Sequence, residues 1–367
     1  MNFITPPTKI FGLDLSDLSI KAVQIKKTKG QLELEAWNSI SLPPGLIEEG
    51  VIKDFKGTAR AIKKLIKTSP QEFTTKYAVL SLPETKTFIK VIKVSRQKGS
   101  QREVISRELP KHVPVDIQDI ELDWQALPGK ESGKFLIGIV PKKIANDYTK
   151  VARMAGLSAV ALEIEAQAIV RSVIATQSFN KKNLIKSLIN KNSKQKTTSS
   201  VGPARIILDL GATRTSLILL DRGVIQFTNS LSNISGEIIT EDIAKTMKLS
   251  YKEAEKIKRI CGDSPKKCKG KMMETIKKTV SVLADEIKNA ENFYESHFGK
   301  NAKDLEIMLC SGGSGLIDID LDLEKLTNRK AVLADPLINV SNPSDEKQRN
   351  AFLPYTTAIG LALREIK

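Results

Sequence analysis

The chain is poor in the residues that build metal cages and disulfide frameworks. In 367 residues it has three cysteines, Cys261, Cys268 and Cys310, and two histidines, His112 and His297. The cysteine spacing matches no zinc signature and so low a content fits a reducing compartment, so all three read as structural. Long apolar runs are missing as well. None approaches the roughly eighteen residues that a membrane helix needs, and the opening MNFITPPTKIFGLDL lacks the basic-then-apolar order of a secretion signal. A cytoplasmic protein is expected. Aromatic residues make up only 5% of the chain. No stretch interleaves them with basic residues as a base-stacking platform requires, and no recognition-helix signature is present, so no specific nucleic-acid partner is expected. Acid is outnumbered by base, 42 to 58, for a formal charge of +16. That balance suits an anionic partner or surface, although much of the excess is lysine spread over helix faces at 61–67 and 252–259, where solvation is the ordinary explanation.

What is present is a chain that can bury a full core, 41% hydrophobic and long enough for two lobes. Its most informative stretch is Ile206 to Asp221, IILDLGATRTSLILLD, which reads as a strand, a tight polar loop and a second strand. Gly211 permits close approach of a ligand to the backbone. Thr213, Thr215 and Ser216 offer hydroxyls, and successive loop N–H groups can form an anion-binding concavity. Asp209, at the strand end, repels phosphate and is suited to holding a hydrated Mg²⁺. A plain hairpin with a polar turn is the alternative. The same arrangement occurs near the start, where Asp14 ends an apolar strand and Ser16, Asp17 and Ser19 lead to Ile20 and Lys21. The two aspartates lie about one domain's length apart, which suggests a duplicated architecture with two facing loops.

Along the chain the pattern predicts strands at 10–15, 20–26 and 31–37, a helix at 58–68 and a strand at 77–82. A compact α+β segment follows: strand 87–94, helix 101–111, a turn at His112-Val113-Pro114, strand 120–127, a turn at 128–130 and strand 135–140. After it come a helix at 142–155, a strand at 159–162 and a helix at 165–176. Residues 178–203 are rich in lysine, asparagine and serine and read as a mobile loop, or a basic arm. Beyond the central hairpin, a helix with Thr240 as candidate cap, helices at 251–260 and 272–298, a strand at 305–309, the glycine turn 311–316 and a final helix at 355–363 are expected. The stretch 129–135 bears glycine and lysine but lacks the spacing of a P-loop.

In this order the loops resemble the actin-like ATP-binding superfamily, and within it the PilM family of type IV pilus assembly proteins, over nearly the whole chain. Asp14 to Lys21 is similar to the first phosphate motif, Asp209 to Ser216 to the second, and Ser311 to Leu316 to the adenosine motif. Ile238 to Ala244 with Glu253 to Lys258 resembles the nucleotide-lobe helices, and Glu163 to Ala168 the connecting helix. Glu108 to Pro114 with Ile120 to Trp124 looks like the extra subdomain shared with the cell-division protein FtsA. Because the sequence ends at Lys367 without FtsA's terminal amphipathic helix, PilM is the nearer match.

The resemblance implies an α/β, two-lobed actin-like (ribonuclease H-like) fold with duplicated mixed sheets flanked by helices. The expected division is 1–83 with 141–200 as first lobe, 84–140 as inserted subdomain, and 201–367 as second lobe with a helical nucleotide subdomain at 245–304. ATP and Mg²⁺ are the implied cofactors. Asp14 and Asp209 would hold the metal through water, and Glu165 would orient the attacking water. Ser16, Asp17, Ser19, Lys21, Gly211, Ala212, Thr213 and Thr215 would border the phosphates; Gly236, Glu255, Lys258, Ser311, Gly312, Gly313 and Ser314 would border the adenosine. Two departures bear on this set. Relatives carry glycine where this chain has Ser16, and Asp17 adds negative charge beside the expected phosphates. A nucleotide-conditioned scaffold with slow or no hydrolysis is implied, peripheral to the inner face of the cytoplasmic membrane. Its groove beside the inserted subdomain, near Val113 and Ile120, would dock the N-terminal cytoplasmic tail of a PilN-like inner-membrane protein. Contacts with other pilus motor components and self-association are further implications. An FtsA-like filament protein and a small-metabolite kinase are the alternatives, the kinase lacking a candidate base for a second substrate.

Overall fold

The computed structural model describes residues 7–94, 99–112, 117–127, 133–176, 202–263, 271–299, 301–315 and 318–364. The chain opens on a meander of β1 (Phe11–Ser16), β2 (Ser19–Thr28) and β3 (Gln31–Ser41), in which β1 is buried almost throughout, Asp14 included. A small flap, β4 (Ile47–Glu48) and β5 (Val51–Ile52), leads to α1 (Phe55–Lys67). Asp54 caps that helix by accepting the Gly57 N–H at 2.8 Å. β6 (Tyr77–Leu82) lies parallel beside β1. Then come β7 (Phe88–Lys93), α2 (Gln101–Glu108), β8 (Ile120–Ala126) and β9 (Lys134–Pro141), followed by α3 (Lys142–Met154), β10 (Ser158–Ile164) and α4 (Glu165–Val173).

The second half repeats the plan. A hairpin of β11 (Arg205–Leu210) and β12 (Thr215–Asp221) continues into β13 (Val224–Leu231). Helices α5 (Gly236–Met247), α6 (Tyr251–Asp263) and α7 (Lys271–Phe298) follow, then β14 (Glu306–Cys310), α8 (Ile319–Thr327), β15 (Ala331–Leu333), α9 (Glu346–Asn350) and α10 (Thr356–Ala362). The first sheet has the order β10-β6-β1-β2-β3, and the second contains β15-β14-β11-β12-β13. These are the same order with the same pairings: an antiparallel hairpin whose first strand takes a parallel neighbour on its other side. The duplication expected from the two aspartates is thus present in the topology.

The second sheet does not stop at β13. Through the single bridged pair Phe227–Lys90, the strands of the 84–140 segment join it in the order β13-β7-β9-β8, giving eight strands. Helices cover the first sheet on both faces. Ile62 and Leu65 of α1 and Ile144, Tyr148 and Val151 of α3 pack with Phe11, Leu13 and Leu80 on one side. On the other side Ala358, Ile359 and Ala362 of α10 meet Val23. α4 lies between the sheets, where Ile169 and Val173 pack with Ile207, Ile218 and Leu220.

α10 crosses β1 and α4 at glycines. A methyl added to Gly12 would sit 2.1 Å from the Ala358 carbonyl oxygen, and one on Gly360 would sit 1.8 Å from that of Ala168. Arg171 fixes the crossing by donating to the Gly360 carbonyl at 2.8 Å while paired with Glu163.

Several expectations change. Ser235, not Thr240, caps α5, accepting the Ile238 N–H at 3.2 Å; Thr240 lies inside the helix. β13, β15, α8 and α9 have no counterpart in the sequence reading, because short or polar-centred segments such as VIQFTNSL carry no clear period. Ile120 is buried in the core of the inserted strands, so it does not line a groove. Val113, the turns at 113–114 and 128–130, most of the 129–135 stretch and all but the last two residues of 178–203 lie outside the described residues.

Candidate functional site

Both hairpins present their loops to one cleft, a cavity of about 840 Å³. From the first, Asp14, Ser16, Asp17, Ser19 and Lys21 line it; from the second, Asp209, Gly211, Ala212 and Thr213. Register explains the placement. Asp14 stands opposite Lys21, and Asp209 opposite Ser216, each aspartate two residues before its strand ends or one, so both side chains reach the cleft floor. Gly236, Glu255, Lys258, Ser311, Gly312 and Gly313 line the second-lobe wall, and Glu165 reaches in from the start of α4. Thr215 and Ser314 do not line this cavity. Thr215 is fully buried and donates to the Ile234 carbonyl at 2.9 Å, and Ser314 donates to the Ser311 carbonyl at 2.5 Å.

The acid groups differ in their commitments. Asp14 accepts from the Ser81 hydroxyl at 3.1 Å and lies 3.7 Å from the Lys21 ammonium, which itself donates to Ser19 at 2.7 Å. Ser16 keeps its hydroxyl 3.4 Å from both Asp14 oxygens. Its backbone is an ordinary strand residue outside the left-handed region, so this loop makes no demand for glycine there. Asp209 is the contrast: its Oδ1 is buried with no hydrogen-bond partner. Burial pushes its carboxyl up, opposed by the facing Ser311 hydroxyl and reinforced by the nearby Asp14 charge. Ser311 holds φ +68°, a left-handed conformation costly for a residue with a Cβ. It opens the turn that brings Gly313 against β11, where a methyl would sit 2.7 Å from the Leu210 carbonyl oxygen. Gly211 is similarly confined, 2.7 Å from the Arg214 carbonyl oxygen. Both glycines are therefore required by the protein's own backbone.

Arg214 organises the cleft, and the sequence reading missed it. Its guanidinium meets both oxygens of Glu165 at 3.2 Å and lies 3.7 Å from Asp17, while the neighbouring Thr213 hydroxyl donates to Asp17 at 3.3 Å. Asp17 also accepts the Gly50 N–H at 2.9 Å. The negative charge of Asp17 thus faces Arg214 and two hydrogen-bond donors. The only signal for Arg214 was a lone cation inside an otherwise neutral loop. Burial raises the Glu165 carboxyl to about 8, against the opposing pull of Arg214, with Asp14 and Asp209 adding to the rise. Arg214 Nη2 bridges the two Glu165 oxygens, so any water that Glu165 orients must share those oxygens with the guanidinium. Beneath them Glu84, at the turn after β6, has both oxygens buried without a partner, and burial lifts it to about 7. The Ser216 and Thr228 hydroxyls lie near enough to oppose that rise without reaching bonding geometry.

On the opposite wall Lys258 of α6 donates to the Gly236 carbonyl at 2.7 Å and to Thr240 at 2.6 Å, and pairs with Glu255 at 2.7 Å. Thr240 donates to Glu255 at 2.7 Å. The pair expected beside the adenosine therefore also pins α6 onto the first turn of α5, leaving a preformed edge. The donor set fits a hydrated divalent cation. Among the described residues no three acidic or histidine groups come together to ligate a metal directly. The buried, unpartnered Asp209 oxygen across from Asp14 nevertheless leaves acceptor capacity for metal-bound water.

Two matching hairpin loops facing one another across a cleft, with two helices crossing in close contact, define the actin-like class of nucleotide-binding folds. The solved structures agree. MreB5 of Spiroplasma citri bound to AMPPNP matches with a TM-score of 0.53 at 14% identity, over 97% of this chain and 95% of that one. The ethanolamine utilization protein EutJ from Carboxydothermus hydrogenoformans matches at 0.57 and 15%, over 98% and 90%. A PilM–PilN type IV pilus biogenesis complex matches at 0.77 and 21%, over 98% of each chain. The family model described as type IV pilus assembly protein PilM matches residues 12–366. The chain belongs to the PilM family.

Proposed function

We propose that the chain is an ATP-binding scaffold of a type IV pilus or related assembly machine, in which nucleotide conditions the docking of a membrane protein's tail. The observation that carries the nucleotide half is the buried Asp209 oxygen, unpartnered between two equivalent loops. Such a group costs stability unless something polar meets it. In this reading Asp14 and Asp209 hold a hydrated Mg²⁺, Lys21 and the loop N–H groups take phosphate charge, and the Glu255–Lys258 edge borders the adenosine. Bound MgATP supplies the phosphate charge that competes for Arg214. Arg214 at both Glu165 oxygens competes with an attacking water for them, which favours slow over rapid hydrolysis.

The partner half rests on family membership and on the solved PilM–PilN complex. In this reading a PilN-like protein's short N-terminal tail docks beside the inserted strands, and the chain works at the cytoplasmic face of the inner membrane. No helix among the described residues is long and apolar enough to cross it. The deciding experiment is calorimetric titration of MgATP into the wild type and Asp14→Ala. A marked loss of affinity in the variant is expected; equal affinity overturns the metal assignment. A synthetic tail peptide from the neighbouring single-span membrane protein should bind with micromolar affinity, altered by MgATP. No binding in either state overturns the scaffold reading.

A further inference from the structure

Half of the formal charge of the whole chain sits on two helices. α1 carries Lys56, Arg60, Lys63, Lys64 and Lys67 and no acid; α3 carries Lys142, Lys143, Lys150 and Arg153 against the single acid Asp147. All nine cations are exposed. No other helix among the described residues departs so far from neutrality, and α5 and α8 are net acidic.

Periodicity gathers these cations into stripes. At 3.6 residues per turn, positions 56, 60, 63, 64 and 67 fall on one side of α1, opposite Ile62 and Leu65, which are buried. Positions 142, 143, 150 and 153 do the same on α3, opposite Ile144, Tyr148 and Val151. The two helices pack against each other on one face of the first sheet, α1 over β2 and β3, α3 beside β6 and β10. Their outer stripes therefore face the same way and form one basic plane. Few of its charges are spent: Lys143 pairs with Asp147 at 2.6 Å, Lys142 donates to the Gln118 carbonyl at 2.7 Å, and Lys150 lies 4.6 Å from the centre of the Phe55 ring. The other six make no ion pair among the described residues.

We propose that this α1–α3 face seats the chain on an anionic phospholipid surface. The plane is broad and made of two helices lying side by side, so it presents no ridge to enter a nucleic-acid groove. Lysine outnumbers arginine seven to two, a composition of point charges suited to diffuse headgroup charge rather than to bidentate phosphate recognition. No large apolar side chain is exposed on either helix, so the contact is electrostatic and reversible, with nothing inserted into the acyl region. The proposal needs neither nucleotide nor a partner tail. It gives orientation, because α3 also contacts β8 and β9 and a chain lying on this face keeps the inserted strands close to the headgroups.

The test is co-sedimentation of the full chain with vesicles of phosphatidylcholine alone and of phosphatidylcholine mixed with phosphatidylglycerol, at low and high salt. Binding is expected only to the anionic vesicles and should fall steeply as salt screens it. With each cation at such a surface worth about fivefold in partitioning, the charge reversal K63E/K64E/K67E should reduce binding by well over tenfold. K277E/K278E, on the exposed side of α7, should cost far less. Matching melting curves show that each variant is folded. Equal binding by wild type and the α1 variant, equal loss in the α7 variant, equal binding to neutral vesicles, or no binding to either overturns the proposal. Vesicle binding unchanged while retardation of duplex DNA is lost in the α1 variant reassigns the face to nucleic acid.

Discussion

Arg214 is the residue on which the cleft's electrostatics turn. It faces Glu165 and Asp17, and all three side chains are at least 88% removed from solvent, the arginine being the most open at 12%. Removing one member of a buried pair leaves an uncompensated charge and costs about 3 kcal/mol or more. Arg214→Ala is therefore expected to lower the unfolding free energy by about that amount in a denaturant melt. The uncharged pair R214M/E165Q should recover part of it, which a double-mutant cycle reads directly. Glu84 gives a second prediction. Its folded value of about 7 lies above the ordinary 4.5, so the folded state binds the proton more tightly than the unfolded chain. The stabilisation is complete below pH 4.5 and is lost as pH rises through about 7, a swing of about 3 kcal/mol. Melting temperatures of wild type and Glu84→Gln across this window should diverge with rising pH, the variant losing less. Parallel curves refute the assignment.

Glycine contacts decide the elements' tolerance. Gly360→Ala forces a methyl to 1.8 Å from the Ala168 carbonyl oxygen, separating α10 from α4, and should destabilise by about 3 kcal/mol, the upper end for overpacking. Gly312→Ala meets nothing closer than 3.8 Å and should leave the melt unchanged. Comparing these two melts checks the crossing. Such contacts also mark where the sequence was legible. The mostly apolar strands β1, β6, β11 and β12 were readable because burial on both faces favours that composition. Helices α1 and α3 showed their period. The polar-centred β13, a hairpin partner of the adjacent β12, and the three-residue β15, paired with β14, are too polar or too short to show a period. Likewise the hairpin aspartates were visible as strand-ending acids, whereas the roles of Arg214 and Glu84 depend on contacts with residues far away in the chain.

At the scale of the molecule, the duplication of strand order was legible from two similar loops, but the joining of the sheets was not. The bridge between β13 and β7 is one residue pair, a weak ladder between halves that are otherwise joined through α4, α10 and the Arg214 cluster. If MgATP draws Arg214 from its carboxylate partners, amide exchange in β7 and β13 should change on adding nucleotide while that of β1 and β6 stays low. No difference in β7 or β13 would count against communication between the cleft and the inserted strands.

That same bridge has a mechanical consequence. Strands β7, β8 and β9 leave the first lobe after Leu82 and return to it at Lys142, yet the one bridged pair that joins them to a lobe's sheet, Phe227–Lys90, runs to the second. They are tethered by their ends to one body and carried by their edge on another. A small rotation between the bodies must then appear as shear within these three strands. A segment so suspended works as a differential, converting hinge angle into displacement at the free edge of β8.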